Sequence, residues 1–500
     1  MSNSHKSKLM LPVIALSLMT VISAVASLNV ALPAIARDLG ASQTQLTWIV
    51  DAYTVIFAGL LLLSGSLGDR FGRKWFLSIG LILYAIASSL GLFAASTEQL
   101  IGIRILMGVG AAFIMPSTLS IITSSFEKEE RPKAISVWVG VAGGGAVIGL
   151  FGTAFLMRYF SWHSFFALNL SLAIVSLCGT LMVIPESREI ARPPLDILGG
   201  LLSVAAAGAL VLGIIEGPDQ GWNSRITIGG IAIGVAALIG FVMRELRVEH
   251  PLLDPRLFKN RGFSSGSLSI TVQFFGQFGF IFVGLQYLQF VAGFSPWGAA
   301  VHLLPMPFIV LPASRLSGYL SGKLPQKYLG SAGLAIFGLG LFIFSRMSLT
   351  FNYTHFLIGL FCFGFGMAMA AVPATTAITN SLPIEKQGVA SAVNDTAREF
   401  GSALGIAVLG AALTNTYTNA MVTATVGLPP EIAAKIQNSL AFVQQTPAPQ
   451  LRDKFHQLAA TGLNAFHDGV SLAMTIAAVV ALTGAILVLI IAPKERSTSI

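Results

Sequence analysis

The chain has 500 residues, of which 54% are hydrophobic and only 10% are Asp, Glu, Lys or Arg. Soluble domains carry about a quarter charged residues, so this composition, with a mean hydropathy of +0.77, excludes a soluble enzyme, a disordered chain and a secreted disulfide-linked domain. It predicts an all-α, multi-span membrane protein, in which the net charge of +8 indicates basic cytoplasmic loops rather than nucleic-acid binding.

Apolar runs long enough to cross a bilayer recur fourteen times along the chain. A spanning helix needs roughly 20 such residues, and charged residues, Pro, Gly and Asn delimit each run. The first run resembles a cleavable signal at its start, but its length favours a retained span. The predicted spans are 9–35, 47–68, 75–95, 99–122, 134–157, 164–184, 196–215, 226–246, 263–290, 297–320, 327–346, 355–380, 388–414 and 466–491.

Lys and Arg residues are distributed unequally between the segments that join these spans. With the N-terminus inside, twenty of the 30 lie on the cytoplasmic side, seven on the opposite side and three within spans. Because basic loops stay in the cytoplasm, both termini are predicted to be cytoplasmic. The longest outer loop, 415–465, is predicted to contain two short amphipathic helices, at 431–436 and 450–455, or to be a plain surface loop.

A ten-residue motif follows the second predicted span. Residues 65–74 read Gly-Ser-Leu-Gly-Asp-Arg-Phe-Gly-Arg-Lys, which resembles the signature loop of the major facilitator superfamily, G-x-L-x-D-R-x-G-R-K. Its glycines allow a tight turn, and Asp69 can neutralise Arg73 or face a helix N-terminus. The resemblance implies a gating loop, the alternative being a basic loop that only sets topology. The gating residues would be Gly65, Gly68, Asp69, Arg70, Gly72, Arg73 and Lys74.

Further segments resemble the fourteen-span drug:proton antiporter branch of that superfamily (QacA/EmrB-like exporters). They are Asn-Val-Ala-Leu-Pro at 29–33, Trp-Ile-Val-Asp-Ala-Tyr at 48–53 and Gly-Val-Ala-Ser-Ala-Val-Asn at 388–394. The resemblance implies the major facilitator fold and proton-driven export of lipophilic, cationic compounds across a bacterial-type inner membrane. It divides the chain into a six-helix bundle (1–190), two inserted spans (191–250) and a second six-helix bundle (251–500).

Two positions depart from the antiporter pattern. Ala24 stands where many relatives carry Asp in the first span, and Leu150 follows Gly149 where the antiporter motif has Pro. These departures favour an alternative in which the same fold exports an endogenous metabolite, such as a siderophore, lipid or amino-acid derivative. A non-transporting membrane sensor is a further alternative.

A charged side chain inside a span costs about 2.5–3.5 kcal/mol on insertion scales, so each one needs a reason. Asp51, near the predicted outer edge of span 2, is expected to bind a proton or a cationic group; a rim residue hydrogen-bonded to a neighbouring loop is the alternative. Arg104 matches a position that the resemblance links to proton coupling, although snorkelling from the end of span 4 would also explain it.

Three charged residues lie close together in span 13. Asp395 and Glu399 are four residues apart and share a helical face, while Arg398 can neutralise Asp395. Two acids with one base leave one carboxylate able to take a proton, so the sequence predicts a proton or cation site that Arg398 tunes. A charge-balanced packing cluster is the alternative.

Span 9 combines aromatic and amide side chains. Gln273 and Gln277 share one face of the helix, as do Phe274 and Phe278. A cavity lined by these four residues, with Asn29 from the first span, would suit a flat lipophilic cation through stacking and cation–π contact. The alternative is ordinary packing, with Phe facing lipid or core and Gln bonding between helices.

The sequence contains no nucleophile elbow, zinc-protease motif or phosphate-binding loop. The protein is therefore predicted not to be an enzyme, to need no cofactor or metal, and to draw energy from an ion gradient, with protons as the coupling ion. Its expected partners are a lipophilic small molecule, protons and the lipid bilayer. No nucleic acid is expected, and a monomer would suffice.

Overall fold

The computed structural model describes residues 3–126, 131–188, 195–382, 387–444 and 452–493, and these contain helices and no strands. The α-helices of this part of the chain are α1 (Asn3–Leu39), α2 (Gln43–Phe71), α3 (Arg73–Gly91), α4 (Thr97–Ser125), α5 (Arg131–Leu156), α6 (Ser164–Val183), α7 (Ile197–Gln220), α8 (Arg225–Glu245), α9 (Arg261–Gln286), α10 (Pro296–His302), α11 (Pro305–Ser321), α12 (Gln326–Phe344), α13 (Tyr353–Asn380), α14 (Gln387–Ala424), α15 (Pro430–Asn438), α16 (Leu440–Val443) and α17 (Arg452–Ile491). A 3₁₀ turn (Pro255–Lys259) precedes α9, and a π turn (Tyr287–Val291) continues it.

The predicted spans coincide with these helices. Thirteen helices in the described residues are long and apolar enough to cross a membrane. The remaining predicted span, 134–157, lies in α5, whose apolar part is Gly145–Leu156. Long apolar runs therefore located the helices, while the count of fourteen stays a prediction.

The predicted span 297–320 is confirmed as Pro296–Ser321, although two helices form it. The chain forms α10 and then α11, with a turn at Leu303 and Leu304. Pro305 has no backbone N–H to continue the ladder of α10, and a proline is well suited to the first turn of a new helix. The span is therefore built from two helices, the second of which begins at Pro305.

The predicted outer loop is shorter than 415–465, because α14 continues to Ala424 and α17 begins at Arg452. The first amphipathic helix is confirmed as α15, whose proline start places Glu431 in its first turn. The second is wrong: residues 452–455 are the start of α17, while Gln450 and Leu451 lie outside the described residues. The polar start of α17 continues into an apolar span with no proline between them, and one helix covers both.

The chain divides into two compact units. The first comprises residues 1–34, 48–209 and 233–252. In it, α3 and α4 approach closely at Gly80 and Gly110: a side chain at Gly80 would come within 2.8 Å of the carbonyl oxygen of Gly110. Small residues of this kind let spanning helices pack backbone to backbone.

The second unit comprises residues 35–47, 210–232 and 253–500. Its helices α9 and α14 cross at Gly401 and Gly405, where added side chains would collide with the backbone of Thr271 and Phe275. This crossing fixes the register of the two helices that carry the predicted cation site. The predicted division at 190 falls outside the described residues, and the scheme of two bundles with two inserted spans stays a prediction.

Candidate functional site

Asp51 lies eight residues after the start of α2 and is fully buried. Neither of its carboxylate oxygens has a hydrogen-bond partner among the described residues. The alternative of a rim residue bonded to a loop is therefore wrong. A buried carboxylate without hydrogen bonds is costly unless a proton or cation neutralises it, which keeps Asp51 as a candidate for either role.

Arg104 of α4 is also fully buried, so the snorkelling alternative is wrong. Its Nε donates to the carbonyl oxygen of Ile49 at 3.0 Å, and its guanidinium carbon lies 4.2 Å from the centroid of the Tyr53 ring. Gly108 permits this contact, because a side chain there would meet the backbone of Tyr53 at 2.7 Å. Arg104 thus contacts Ile49 and Tyr53, which lie two residues before and two residues after Asp51 on α2.

A polar network next to this arginine was not predicted from the sequence. The hydroxyl of Tyr53 donates to the carbonyl oxygen of Val21 at 3.2 Å, and that of Tyr84 donates to the carbonyl oxygen of Thr20 at 3.1 Å. The Oδ1 atom of Asn169 lies 3.4 Å from the Tyr84 hydroxyl. These buried groups tie α2, α3 and α6 to α1. Tyrosine and asparagine within apolar runs were the available signal.

Asn29 of α1 is fully buried in the first unit. Its amide nitrogen donates to the carbonyl oxygen of Val25 at 3.1 Å, one turn back in the same helix. Its Oδ1 atom has no hydrogen-bond partner among the described residues. The side chain therefore has one buried acceptor without a hydrogen bond, and its place in a substrate cavity stays a prediction.

The signature loop forms the tight link between α2 and α3. Gly72 ends the turn with φ = +134°, a conformation that favours glycine. Asp69 accepts from Arg73 Nε at 2.6 Å, so the predicted neutralisation is confirmed. Gly65, Gly68 and Arg70 lie near the end of α2. A Cβ atom added at Gly65 or Gly68 would lie 3.5 Å from Pro116 or Ser117, and Arg70 lies over the Phe71 ring.

Glu186, just after α6, anchors this loop and was not predicted. Its two carboxylate oxygens accept from the backbone N–H groups of Lys74 and Trp75, each at 3.2 Å. The Lys74 ammonium in turn donates to the carbonyl oxygen of Leu181 at 3.0 Å. Glu186 thus supplies the acid at the N-terminus of α3, while Asp69 binds Arg73. Its position two residues beyond a span end was the only sequence signal.

Two buried acids at the start of α7 and the end of α8 were also not predicted. Asp196 precedes α7 and accepts from the backbone N–H of Gly199 at 2.9 Å, while Arg244 of α8 lies 3.3 Å from the same carboxylate. Glu245 is fully buried beside Arg244 in sequence. The ion pair of Asp196 and Arg244 joins the start of α7 to the end of α8.

In the second unit, Asp395, Arg398 and Glu399 lie together on α14, as the spacing predicts. Asp395 and Glu399 are 7% and 6% exposed. An Arg398 guanidinium nitrogen lies 3.9 Å from Asp395 Oδ1, a loose ion pair. Glu399 Oε2 and Arg398 Nε have no hydrogen-bond partner among the described residues. Arg398 therefore pairs loosely with Asp395, and it forms no ion pair with Glu399 among the described residues.

The aromatic pair of α9 meets this cluster. Phe274 and Phe278 stack with centroids 5.9 Å apart and planes 22° apart, as expected for one helical face. The Arg398 guanidinium carbon lies 5.1 Å from the Phe274 centroid. The crossing of α9 and α14 at Gly401 and Gly405 therefore brings the aromatic pair of α9 next to the charged cluster of α14. These two groups lie far apart in the sequence.

The amides of α9 differ from each other. Gln273 is fully buried, and its nitrogen donates to the carbonyl and hydroxyl oxygens of Ser269 within the same helix, each at 3.1 Å. Its Oε1 atom has no hydrogen-bond partner among the described residues. Gln277, one turn further, is half-buried. The bonds of Gln273 are thus within α9 rather than between helices.

The amino-acid sequence of the chain matches a known protein family. The Major Facilitator Superfamily model matches residues 14–406. The methyl viologen resistance protein SmvA of Salmonella typhimurium is 32% identical over 424 residues, which are 84% of this chain and 84% of that protein. The multidrug efflux pump LfrA of Mycolicibacterium smegmatis is 31% identical over 459 residues, 92% of this chain and 91% of that protein.

Solved transporter structures share the fold. A bacterial homologue of the human lysosomal transporter Spinster gives a TM-score of 0.64 at 18% identity, covering 98% of this chain and 97% of that one. The xylose transporter XylE from E. coli gives 0.61 at 14% identity, covering 98% and 99%. The predicted all-α, multi-span fold is confirmed.

Proposed function

Because this chain belongs to the major facilitator superfamily, we propose that it exports lipophilic, cationic compounds in exchange for protons. The chain is an integral membrane transporter of the multidrug efflux type, so the sensor alternative has no support. We further propose the fourteen-span antiporter branch, two six-helix bundles with spans 7 and 8 inserted, and a bacterial-type inner membrane with both termini in the cytoplasm. Protons would be the coupling ion, and a monomer would suffice.

The observation that carries the cation proposal is the placement of Arg398. This side chain is itself a flat cation, and it lies over Phe274 with Asp395 3.9 Å away. An aromatic face beside a carboxylate suits a delocalised cation, through cation–π and charge attraction together. A lipophilic aromatic cation would find the same two partners. Methyl viologen, in the name of one relative, is a flat aromatic dication.

The proton proposal rests on the buried acids. Asp51 in the first unit and Glu399 in the second each have at least one carboxylate oxygen without a hydrogen-bond partner among the described residues. Because burying an uncompensated carboxylate is costly, a proton and a substrate cation are competing ways to neutralise it. That competition converts inward proton movement into outward cation movement under alternating access. Arg104 and Arg398 would tune the acids.

The signature loop would act as a gate in this scheme. Asp69 and Arg73 form one ion pair within it, and Glu186 ties the start of α3 to the segment after α6. Breaking these contacts would free α3 to shift relative to α6. The gating role therefore belongs to a set of contacts that can be made and broken, rather than to the glycines alone.

The alternative, export of an endogenous metabolite, rests on Ala24 and Leu150. Ala24 is fully buried in α1, so the position where relatives carry Asp offers no charge here. Leu150 is 7% exposed within α5. A neutral or anionic substrate would tolerate neutralisation of Asp51 or Glu399, whereas a cation would not, and this difference separates the two proposals.

Reconstitution into sealed vesicles with an imposed pH gradient tests the function. A lipophilic aromatic cation such as ethidium and an uncharged aromatic compound of similar size would be compared, with wild type and Glu399→Gln. We expect gradient-driven movement of the cation only, lost in Glu399→Gln. Movement of every accepted compound irrespective of the gradient would refute proton exchange, and preference for the uncharged compound would favour the alternative.

A further inference from the structure

A polar cavity of about 230 Å³ lies in the second unit where α12 leads into α13. A single water needs only about 10–15 Å³ of such space, so the cavity can hold a small ligand. Its polar lining is formed by Tyr287, Arg346, Ser348, Asn352 and His355. The seven residues that line it include one cation and no Asp or Glu. We name it the Arg346 cavity.

Arg346 stands at the border between polar and apolar surface. Its guanidinium carbon lies 5.1 Å from the centroid of the Phe342 ring on α12. Phe342 is 41% exposed on a helix that is long and apolar enough to span the membrane. An arginine that rests its stem on an apolar face and projects its charge beyond it typically meets the lipid headgroup region.

Three backbone carbonyl oxygens beside the cavity accept hydrogen bonds from side chains. The Tyr287 hydroxyl donates to Ser348 at 2.7 Å, His355 Nε2 bonds the oxygen of Ile343 at 2.8 Å, and His467 Nε2 bonds the oxygen of Met347 at 2.7 Å. These bonds engage three backbone acceptors, and they also use the Tyr287 hydroxyl and His355 Nε2 as donors. The donors that can meet a ligand must therefore come from Arg346 and its other neighbours.

Two donors remain beside Arg346. Asn352 uses its Oδ1 to accept from the backbone N–H of His355 at 3.1 Å, which leaves its NH₂ group as the end that can donate. Asn352 also caps α13, a helix of 28 residues whose positive end faces this loop. A guanidinium, an amide NH₂ and a helix N-terminus together form the donor set that binds phosphate oxygens.

We propose that the Arg346 cavity binds a phosphate group through the Arg346 guanidinium and the Asn352 amide. The group belongs to a phospholipid headgroup or to free inorganic phosphate, which offer the same oxygens. The Arg346 cavity and the Arg398 cluster both lie in the second unit but share no residues. The phosphate proposal therefore does not depend on the transport proposal.

Binding to the purified full-length chain in detergent tests the site. Three probes would be titrated: short-chain phosphatidylglycerol, the diacylglycerol with the same chains, and sodium phosphate against sodium chloride at equal ionic strength. Affinity would be followed by native mass spectrometry and by the midpoint of thermal unfolding. We expect phosphatidylglycerol to bind and stabilise the wild type, and diacylglycerol to do neither.

Two variants and a matched control make the test specific. Arg346→Gln removes the cation, and Asn352→Asp keeps the helix cap while placing a negative charge in the cavity. Each should weaken phosphatidylglycerol binding by at least about tenfold. Arg158→Gln is the control, because Arg158 also stacks on an aromatic ring, at 5.9 Å from Tyr159, but lies in the first unit and should bind as wild type does.

The probes separate the two sources of phosphate. Competition by sodium phosphate at this site would identify a free phosphate site, and binding of phosphatidylglycerol alone would identify a headgroup site. Equal phosphatidylglycerol affinity in wild type, Arg346→Gln and Asn352→Asp would overturn the proposal. Because Asp is a good helix cap, misfolding does not explain a loss in Asn352→Asp, and the unfolding midpoint without ligand checks this.

Discussion

The guanidinium of Arg398 on α14 lies over the ring of Phe274 on α9, 5.1 Å from its centroid. The same side chain forms only a loose pair with Asp395, at 3.9 Å. The protein therefore holds one of its own cations where an aromatic face and a carboxylate converge, and Glu399 lies one residue further along the helix.

Phe274→Leu should weaken binding of an aromatic cation. The substitution keeps an apolar side chain but removes the π face, and a desolvated cation–π contact of about 1.4 kcal/mol corresponds to roughly tenfold in affinity. Ethidium binding by fluorescence titration measures the effect. Phe361→Leu is the matched control, because Phe361 stacks on Phe365 at an exposed site on α13. An equal effect of the two substitutions would argue against a cation site at Phe274.

Asp51→Asn and Glu399→Gln should each reduce gradient-driven export of a cation to below about a tenth of the wild-type rate, because each removes a buried charge that a proton or cation neutralises. Efflux of a fluorescent cation from energised cells measures this at matched expression levels. Asp468→Asn is the control, since the Asp468 side chain is 71% exposed. Wild-type efflux by both buried variants would remove these acids from the mechanism.

Arg104→Lys should lower the free energy of unfolding by about 2 kcal/mol, because a charge-assisted hydrogen bond of 1.5–3 kcal/mol is lost and Lys cannot reproduce the planar contact. The bond lost is from Nε to the oxygen of Ile49, and the contact is with Tyr53. Arg158→Lys, at an exposed position outside this network, should change the free energy of unfolding by less than about 0.5 kcal/mol. Denaturant unfolding in detergent compares the two, and equal stability would mean that the buried contacts contribute little.

Glu186→Ala should destabilise the link between α2 and α3. The loss of two acceptors at a helix N-terminus costs about 1 kcal/mol, and we expect the transport rate to fall more than substrate affinity, because the contact belongs to the gate. Glu249→Ala, at an exposed position, provides the control. The thermal midpoint and the rate and affinity of transport are measured on the same preparations. A loss confined to substrate affinity would contradict a gating role.

The local features of the fold were predictable from the sequence. Apolar length alone located the spans, and helical spacing placed Asp395 beside Arg398 and Phe274 beside Phe278. The pair of Asp69 and Arg73 also followed from spacing. These relationships depend on residues within one helix or turn, where the period of 3.6 residues determines which side chains meet.

Contacts between distant helices were not predictable. The meeting of Arg398 with Phe274 depends on the crossing of α9 and α14 at Gly401 and Gly405, which neither helix reveals alone. The burial of Arg104 depends in the same way on Gly108 and Tyr53. Glu186 reaches Lys74 across more than 100 residues of sequence. Small residues in apolar runs indicate that a close contact exists, but not its partner.

Proton movement across the membrane of sealed vesicles tests the central claim most directly. Purified protein would be reconstituted with a pH-sensitive dye inside, and a lipophilic cation would be added outside without an imposed gradient. We expect cation entry to drive protons out, so that the interior becomes alkaline with the wild type but not with Glu399→Gln. Cation entry that leaves the interior pH constant would contradict exchange at a buried carboxylate.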